Sequence, residues 1–276
     1  MNLSIVQSTE PASFSALAYK GDWAKNIGKL KYMGYDGVEL AVRDPRLLDA
    51  PLLKSLLQQH GLLVPAIGTG QAFGEDGLSL THAEPAVRRQ TIERLKSHVR
   101  LAADLGALVI IGLVRGRLGS SIGLDRAEAW LVEAMRECAS EDPGVKIAVE
   151  PINRYETDFI NTVGSALNFV EKINLENIGL LLDTFHMNIE EPSLTESIIS
   201  SRDHLFHVHV ADSNRWHPGA GHIDFKAIVD ALEKIGYRGF LSAEILPLPD
   251  PDTAAMNTLA HFHKVEATLL NLDARS

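Results

Sequence analysis

Four ionisable side chains end or lie within short apolar runs in the second half of the chain. Glu150 closes IAVE, Asp183 closes GLLLD, His209 lies in HVHV and Glu244 closes LSAE. Three carboxylates gathered in one poorly solvated place repel one another and lose their hydration, so holding them together requires a counter-charge. A divalent cation supplies it. Three carboxylate oxygens and one imidazole nitrogen form a hard, mixed donor set that suits Mn²⁺ or Mg²⁺ better than a thiolate-preferring metal, with Co²⁺ and Zn²⁺ as further options. Taken singly, each residue has an ordinary reading as a salt-bridged core carboxylate or a hydrogen-bonded histidine. Four on consecutive strands argue instead for a metal centre. The lone cysteine, Cys138, excludes an internal disulfide and zinc-finger chemistry, which points to a reducing cytoplasm.

Something must bring those runs together, and the chain alternates in a way that does so. Strands are expected near Leu3 to Val6, Gly37 to Leu40, Val64 to Ile67, Leu108 to Ile111, Lys146 to Glu150, Ile178 to Asp183, Leu205 to Val210 and Phe240 to Glu244. Helical spacing falls between them, around Asp22 to Met33, Pro51 to His60, Glu84 to Leu105, Asp125 to Ser140, Gly164 to Ile173, Ser193 to Ser200, Phe225 to Ile235 and Asp252 to Leu270. Eight βα units in 276 residues predict an α/β fold, a single (β/α)8 TIM barrel over residues 1–276; an open doubly wound sheet is the alternative. In a barrel the strand carboxyl ends face one mouth, where those four residues would meet.

A formal charge of −10 disfavours gripping the phosphates of a nucleic acid. The longest apolar run, ALVIIGLV from Ala107 to Val114, is far short of the roughly 18 residues that read as a bilayer span. The start, MNLSIVQSTE, has no basic region followed by an apolar one, so no signal peptide is expected and the protein is placed in the cytoplasm.

The stretches VEPINRYETDFINT, LLDTFHMNIEE, HVHVADSNRWHPGAGHIDF and SAEILPLP resemble the ketose 3-epimerases of the xylose-isomerase-like sugar isomerase and epimerase superfamily. GYDGVELAVRDP, AIGTGQAF, DGLSLTH and LVIIGLVRGR are similar to its branch acting on 5-keto-L-gluconate and D-tagaturonate, keto-uronates rather than neutral ketoses. The resemblance implies that Glu150, Asp183, His209 and Glu244 bind the metal, with Glu150 and Glu244 also the acid and base pair. It implies that Glu156, His186 and Arg215 hold the substrate's carbonyl and neighbouring hydroxyls, and that the enzyme self-associates. Inverting a carbon beside a ketone removes a proton from one face and returns one to the other through an enediolate, so two opposed carboxylates suit the chemistry. A protonated His186, or Arg215, would add positive character near the developing oxyanion.

Arg115 and Arg117 follow the fourth strand and Arg43 the second. Each has an ordinary reading as a surface charge paired with an acid such as Asp44, yet basic residues at strand ends of an acidic protein also suggest a grip for a sugar carboxylate. His207 is read as structural, its alternative being a partner of His209. His217 and His222 are read as loop residues, and the turn Gly68 to Gln71 as a weak anion-binding signal. The competing functions are a neutral-ketose 3-epimerase, an aldose-ketose isomerase, a repair endonuclease on the same barrel, and a barrel that binds a sugar acid without catalysis.

Overall fold

Parallel strands covered on both faces read as unbroken apolar runs, and the chain folds accordingly. The computed structural model describes residues 1–118 and 122–273. Its strands are β1 (Asn2–Ser8), β2 (Tyr19–Lys20), β3 (Gly37–Ala41), β4 (Ala66–Gly68), β5 (Leu108–Ile111), β6 (Ile147–Val149), β7 (Ile178–Asp183), β8 (Leu205–Val210) and β9 (Phe240–Ala243). All pairings are parallel, and β1 bonds to both β3 and β9, so eight strands close a ring while the two-residue β2 adds to β1 from outside. The expected eight-stranded barrel is present. Its helices, among them Trp23–Met33, Pro85–Leu105 and Pro251–Asp273, fall where the helical spacing places them.

Two differences bear on the site. Glu150 and Glu244 stand one residue beyond β6 and β9, at the point where the chain leaves the barrel and its side chains meet the mouth. Short helices at Gly70–Gly74 and Thr184–Glu190 were not expected, because single helical turns carry too little periodicity to be seen in sequence.

Inside the ring Ala66, Leu108, Ile110, Ala148 and Leu181 pack together with Phe206 against them. Gly179 on β7 makes room for that ring, since a Cβ there would lie 2.6 Å from Phe206. This apolar plug leaves the opposite mouth to polar groups. No helix among the described residues is long and apolar enough to cross a membrane.

Candidate active site

A cavity of about 250 Å³ opens at the carboxyl ends of the strands, and Glu150, His209 and Glu244 line it together with Glu156, His186 and Arg215. Asp183 is buried beside them. Ligand atoms of Asp183, His209 and Glu244 lie within 4.8 Å of one another, as do those of Glu150, Asp183 and His186, so Asp183 joins the two groups. His209 Nδ1 lies 3.9 Å from Glu150 Oε1. Asp183 Oδ1 accepts from the Phe185 N–H at 2.7 Å, capping the short helix, while Oδ2 is buried without a hydrogen-bond partner. His209 Nδ1 is equally orphaned. Buried polar atoms are normally satisfied, so an unpaired carboxylate oxygen and an unpaired ring nitrogen amid further carboxylates fit a divalent cation. Gly112 is required by close approach: a Cβ there would stand 2.6 Å from Glu150 Oε2.

The residue that orients His209 was not singled out from sequence. Glu39, buried in the middle of β3, accepts from His209 Nε2 on Oε1 and from His207 Nε2 on Oε2, both at 2.8 Å. With Nε2 committed as donor, His209 directs Nδ1 to the site, the carboxylate–histidine arrangement that orients metal-bound imidazoles. Burial works against charge on Glu39, but the two histidines hold its carboxyl well below the usual range. Burial likewise opposes charge on His209, yet Glu39 pulls its pKa up to about 10. Burial, and then the charge of Glu244, push Glu150 up to about 8; burial raises Glu244 too. The signal for Glu39 was a carboxylate inside the apolar strand GVELA.

Arg215 links the remaining groups. Its Nη1 donates to Glu156 at 2.7 Å and its Nη2 to Glu244 Oε2 at 2.8 Å. The guanidinium lies between the Phe14 and Phe185 rings, 5.0 and 4.6 Å from their centroids. Burial disfavours its charge, but Glu244, Asp183 and Glu156 more than offset that cost. Its backbone sits at φ 62, a left-handed conformation that costs a non-glycine residue about 1–2 kcal/mol and is held by hydrogen bonds to Asp212 and Leu246. Asn153, also unforeseen, donates from Nδ2 to Glu156 at 3.0 Å and to His186 Nδ1 at 2.7 Å, which leaves the His186 proton on Nε2. The protonated His186 expected from sequence is corrected: burial pushes its pKa down to about 4, so it acts as a neutral donor.

The arginines behave differently from expectation. Arg115 is fully buried and outside the cavity lining, its guanidinium donating to the carbonyls of Gly112, Glu150, Phe159 and Ile160. It ties the chain after β5 and β6 to the loop at Phe159 and Ile160, and its donors are spent on those carbonyls rather than turned to the cavity. Arg115→Met should therefore cost at least about 3 kcal/mol, since buried carbonyls left without donors are destabilising. Thermal unfolding checks this; a substrate-binding arginine would raise KM and leave the unfolding midpoint unchanged. Arg43 pairs with Asp76 rather than Asp44. Arg117 is exposed, donates to the Glu156 carbonyl and lies 6.0 Å from the Phe73 ring centroid, outside the lining.

His207 is buried against Glu39, and His217 and His222 bond within or beside their loop, to Pro218 and Ser213. In the turn from Gly68 to Gln71, Thr69 donates its hydroxyl to the Ile110 carbonyl.

Residues 27–264 match the family model described as Xylose isomerase-like TIM barrel. The chain is 35% identical over 253 residues to L-ribulose 3-epimerase of Methylomonas sp. (strain DH-1), a match covering 88% of this chain and 87% of that one. It is 30% identical over 244 residues to 3-dehydro-D-guloside 4-epimerase of Escherichia coli (strain K12), covering 84% and 90%. The crystal structure of D-allulose 3-epimerase from Methylomonas sp. in complex with D-allulose superposes with a TM-score of 0.77 at 31% identity, covering 95% of this chain and 90% of that one.

Proposed function

The chain belongs to the xylose isomerase-like TIM-barrel family, and from that premise we propose that it is a divalent-metal-dependent epimerase that inverts the carbon beside the ketone of a keto sugar. The observation that carries this reading is the pair of orphaned buried atoms, Asp183 Oδ2 and His209 Nδ1, amid the Glu150 and Glu244 carboxylates. Relatives named as 3- and 4-epimerases of keto sugars favour epimerisation over aldose-ketose isomerisation and over binding alone.

Asp183, His209, Glu150 and Glu244 would hold the cation. When bound, a divalent cation supplies Lewis-acid stabilisation of the negative charge that develops on the sugar oxygens. The proton transfers belong to the chain's own residues. One of Glu150 and Glu244 takes the proton from one face of the carbon and the other returns one to the opposite face, a division that suits two coupled carboxylates both raised by burial. Arg215 fixes Glu244 through Oε2 and leaves Oε1 for this work. The Nε2–H of His186 and the guanidinium of Arg215 give hydrogen bonds to substrate oxygens, and both donors are preorganised by their buried partners.

The test is solvent exchange. Metal-loaded protein incubated with keto sugars in deuterated water should exchange the hydrogen next to the ketone, followed by NMR. Chelation should abolish exchange, with Mn²⁺ restoring it best and Mg²⁺ or Co²⁺ less well. Full exchange in chelated protein, or an aldose product, would sink the proposal.

A keto-uronate substrate was expected from the resemblance to the 5-keto-L-gluconate and D-tagaturonate branch, with Arg43, Arg115 and Arg117 as its grip. That Arg115 is committed to four carbonyls and Arg117 stands outside the lining supports the reading of a neutral ketose.

A further inference from the structure

Gln71, in the short helix Gly70–Gly74 that follows β4, is 5% exposed and lies on the cavity wall. Its amide orientation follows from a chain of hydrogen bonds. The Ser8 hydroxyl donates to the Glu10 carbonyl at 2.5 Å, so Ser8 Oγ has only lone pairs left to offer a neighbour. Gln71 must therefore turn its NH₂ toward Ser8, and Nε2 donates there at 2.9 Å. That leaves Gln71 Oε1 as an acceptor, buried and without a partner among the described residues. A carbonyl so placed is costly unless a ligand supplies the donor.

In the closed ring β4 stands opposite β8, so the short helix that carries Gln71 lies across the mouth from the strand that carries His209, and both residues line the cavity. Its neighbour on the lining, Glu75, is an acceptor too, taking hydrogen bonds from the Ser13 N–H and hydroxyl at 2.8 and 2.6 Å. The one arginine on the lining among the described residues, Arg215, is engaged by Glu156 and Glu244. We propose that Gln71 is a specificity-determining residue whose Oε1 accepts a hydroxyl at the end of the sugar remote from the ketone, and that this wall excludes a carboxylate at that position. A hydroxyl brings the donor Oε1 lacks. A carboxylate brings only lone pairs and a negative charge to a carbonyl oxygen and a carboxylate, while the Arg215 guanidinium is already balanced by Glu156 and Glu244.

This inference rests on the epimerase reading and is tested with a matched pair, D-tagatose and D-tagaturonate, which differ only in whether the far carbon is a hydroxymethyl group or a carboxylate. Wild type should show the higher kcat/KM for D-tagatose. Gln71→Met removes the acceptor at similar length and should raise KM for D-tagatose by about tenfold or more, with the loss in KM rather than kcat and metal-induced thermal stabilisation retained. Wild type assayed with 6-deoxy-D-tagatose, which lacks the far hydroxyl, should show the same rise in KM as Gln71→Met does with D-tagatose, because the donor is removed in place of the acceptor. That comparison decides the matter if the Met variant does not fold. Unchanged KM in Gln71→Met, an unchanged KM for 6-deoxy-D-tagatose, or a wild-type preference for D-tagaturonate would overturn the inference and leave the epimerase reading intact. Exchange with neither sugar, nor with any other ketose, would overturn the epimerase reading and this inference with it.

Discussion

Glu150→Gln and Glu244→Gln, made separately, should each lower epimerisation by at least about a hundredfold, the low end of what general acid-base groups contribute. Glutamine keeps the shape and still offers an oxygen, so the loss isolates proton transfer from packing and from ligand count. The two variants differ in what else they disturb. In Glu244→Gln the Arg215 guanidinium loses a charged partner and keeps Glu156, whereas Glu150 takes no side-chain hydrogen bond from Arg215. Glu150→Gln therefore gives the cleaner measurement. Exchange of the substrate hydrogen in deuterated water should show a further asymmetry, one variant retaining washout from one epimer but not the other, because each carboxylate serves one face. Wild-type rates in either variant would show that two opposed carboxylates do not carry the reaction.

Asp183→Ala and His209→Ala should abolish metal-induced thermal stabilisation, the second large effect. Each removes an atom that is buried and unpaired in the protein alone, so the cation loses a ligand that no neighbour replaces. Stabilisation by a ligand follows its concentration relative to Kd, and at a hundredfold excess over Kd is worth about 2.7 kcal/mol, so its disappearance is readily measured. The comparison must be of midpoints with and without metal in the same variant. Asp183 also caps the helix Thr184–Glu190 through Oδ1, and its loss lowers stability by about 1 kcal/mol irrespective of metal. Glu39→Gln should lower metal affinity by about ten- to a hundredfold, since it leaves His209 in place but weakens the hydrogen bond that orients it. Unchanged metal affinity in Asp183→Ala and His209→Ala together would show that the ligands lie elsewhere.

The barrel and the strand-end residues were legible from the chain because both are local patterns. A parallel strand buried on two faces reads as a near-continuous apolar run, as IGLLL does before Asp183, so a charged residue at its end stands out without reference to any neighbour. Eight such runs with helices between them admit few closed arrangements, and the arrangement itself gathers Glu150, Asp183, His209 and Glu244 at one mouth. What only the tertiary structure decided was the pairing of groups distant in sequence. Glu39 meets His207 and His209 across 168 and 170 residues, and no period or motif within a strand encodes a partner that far away. Arg115 reads as a basic residue at a strand end, and only the carbonyls of Phe159 and Ile160 brought over it turn it from a substrate grip into a buried clamp. Gln71 likewise acquires its meaning from Ser8, 63 residues earlier, whose own hydroxyl is already spent. Residue types and local periodicity thus set which chemistry this chain can assemble, while the direction in which each polar atom points follows from hydrogen-bond accounting that can be closed only when all the partners are in place.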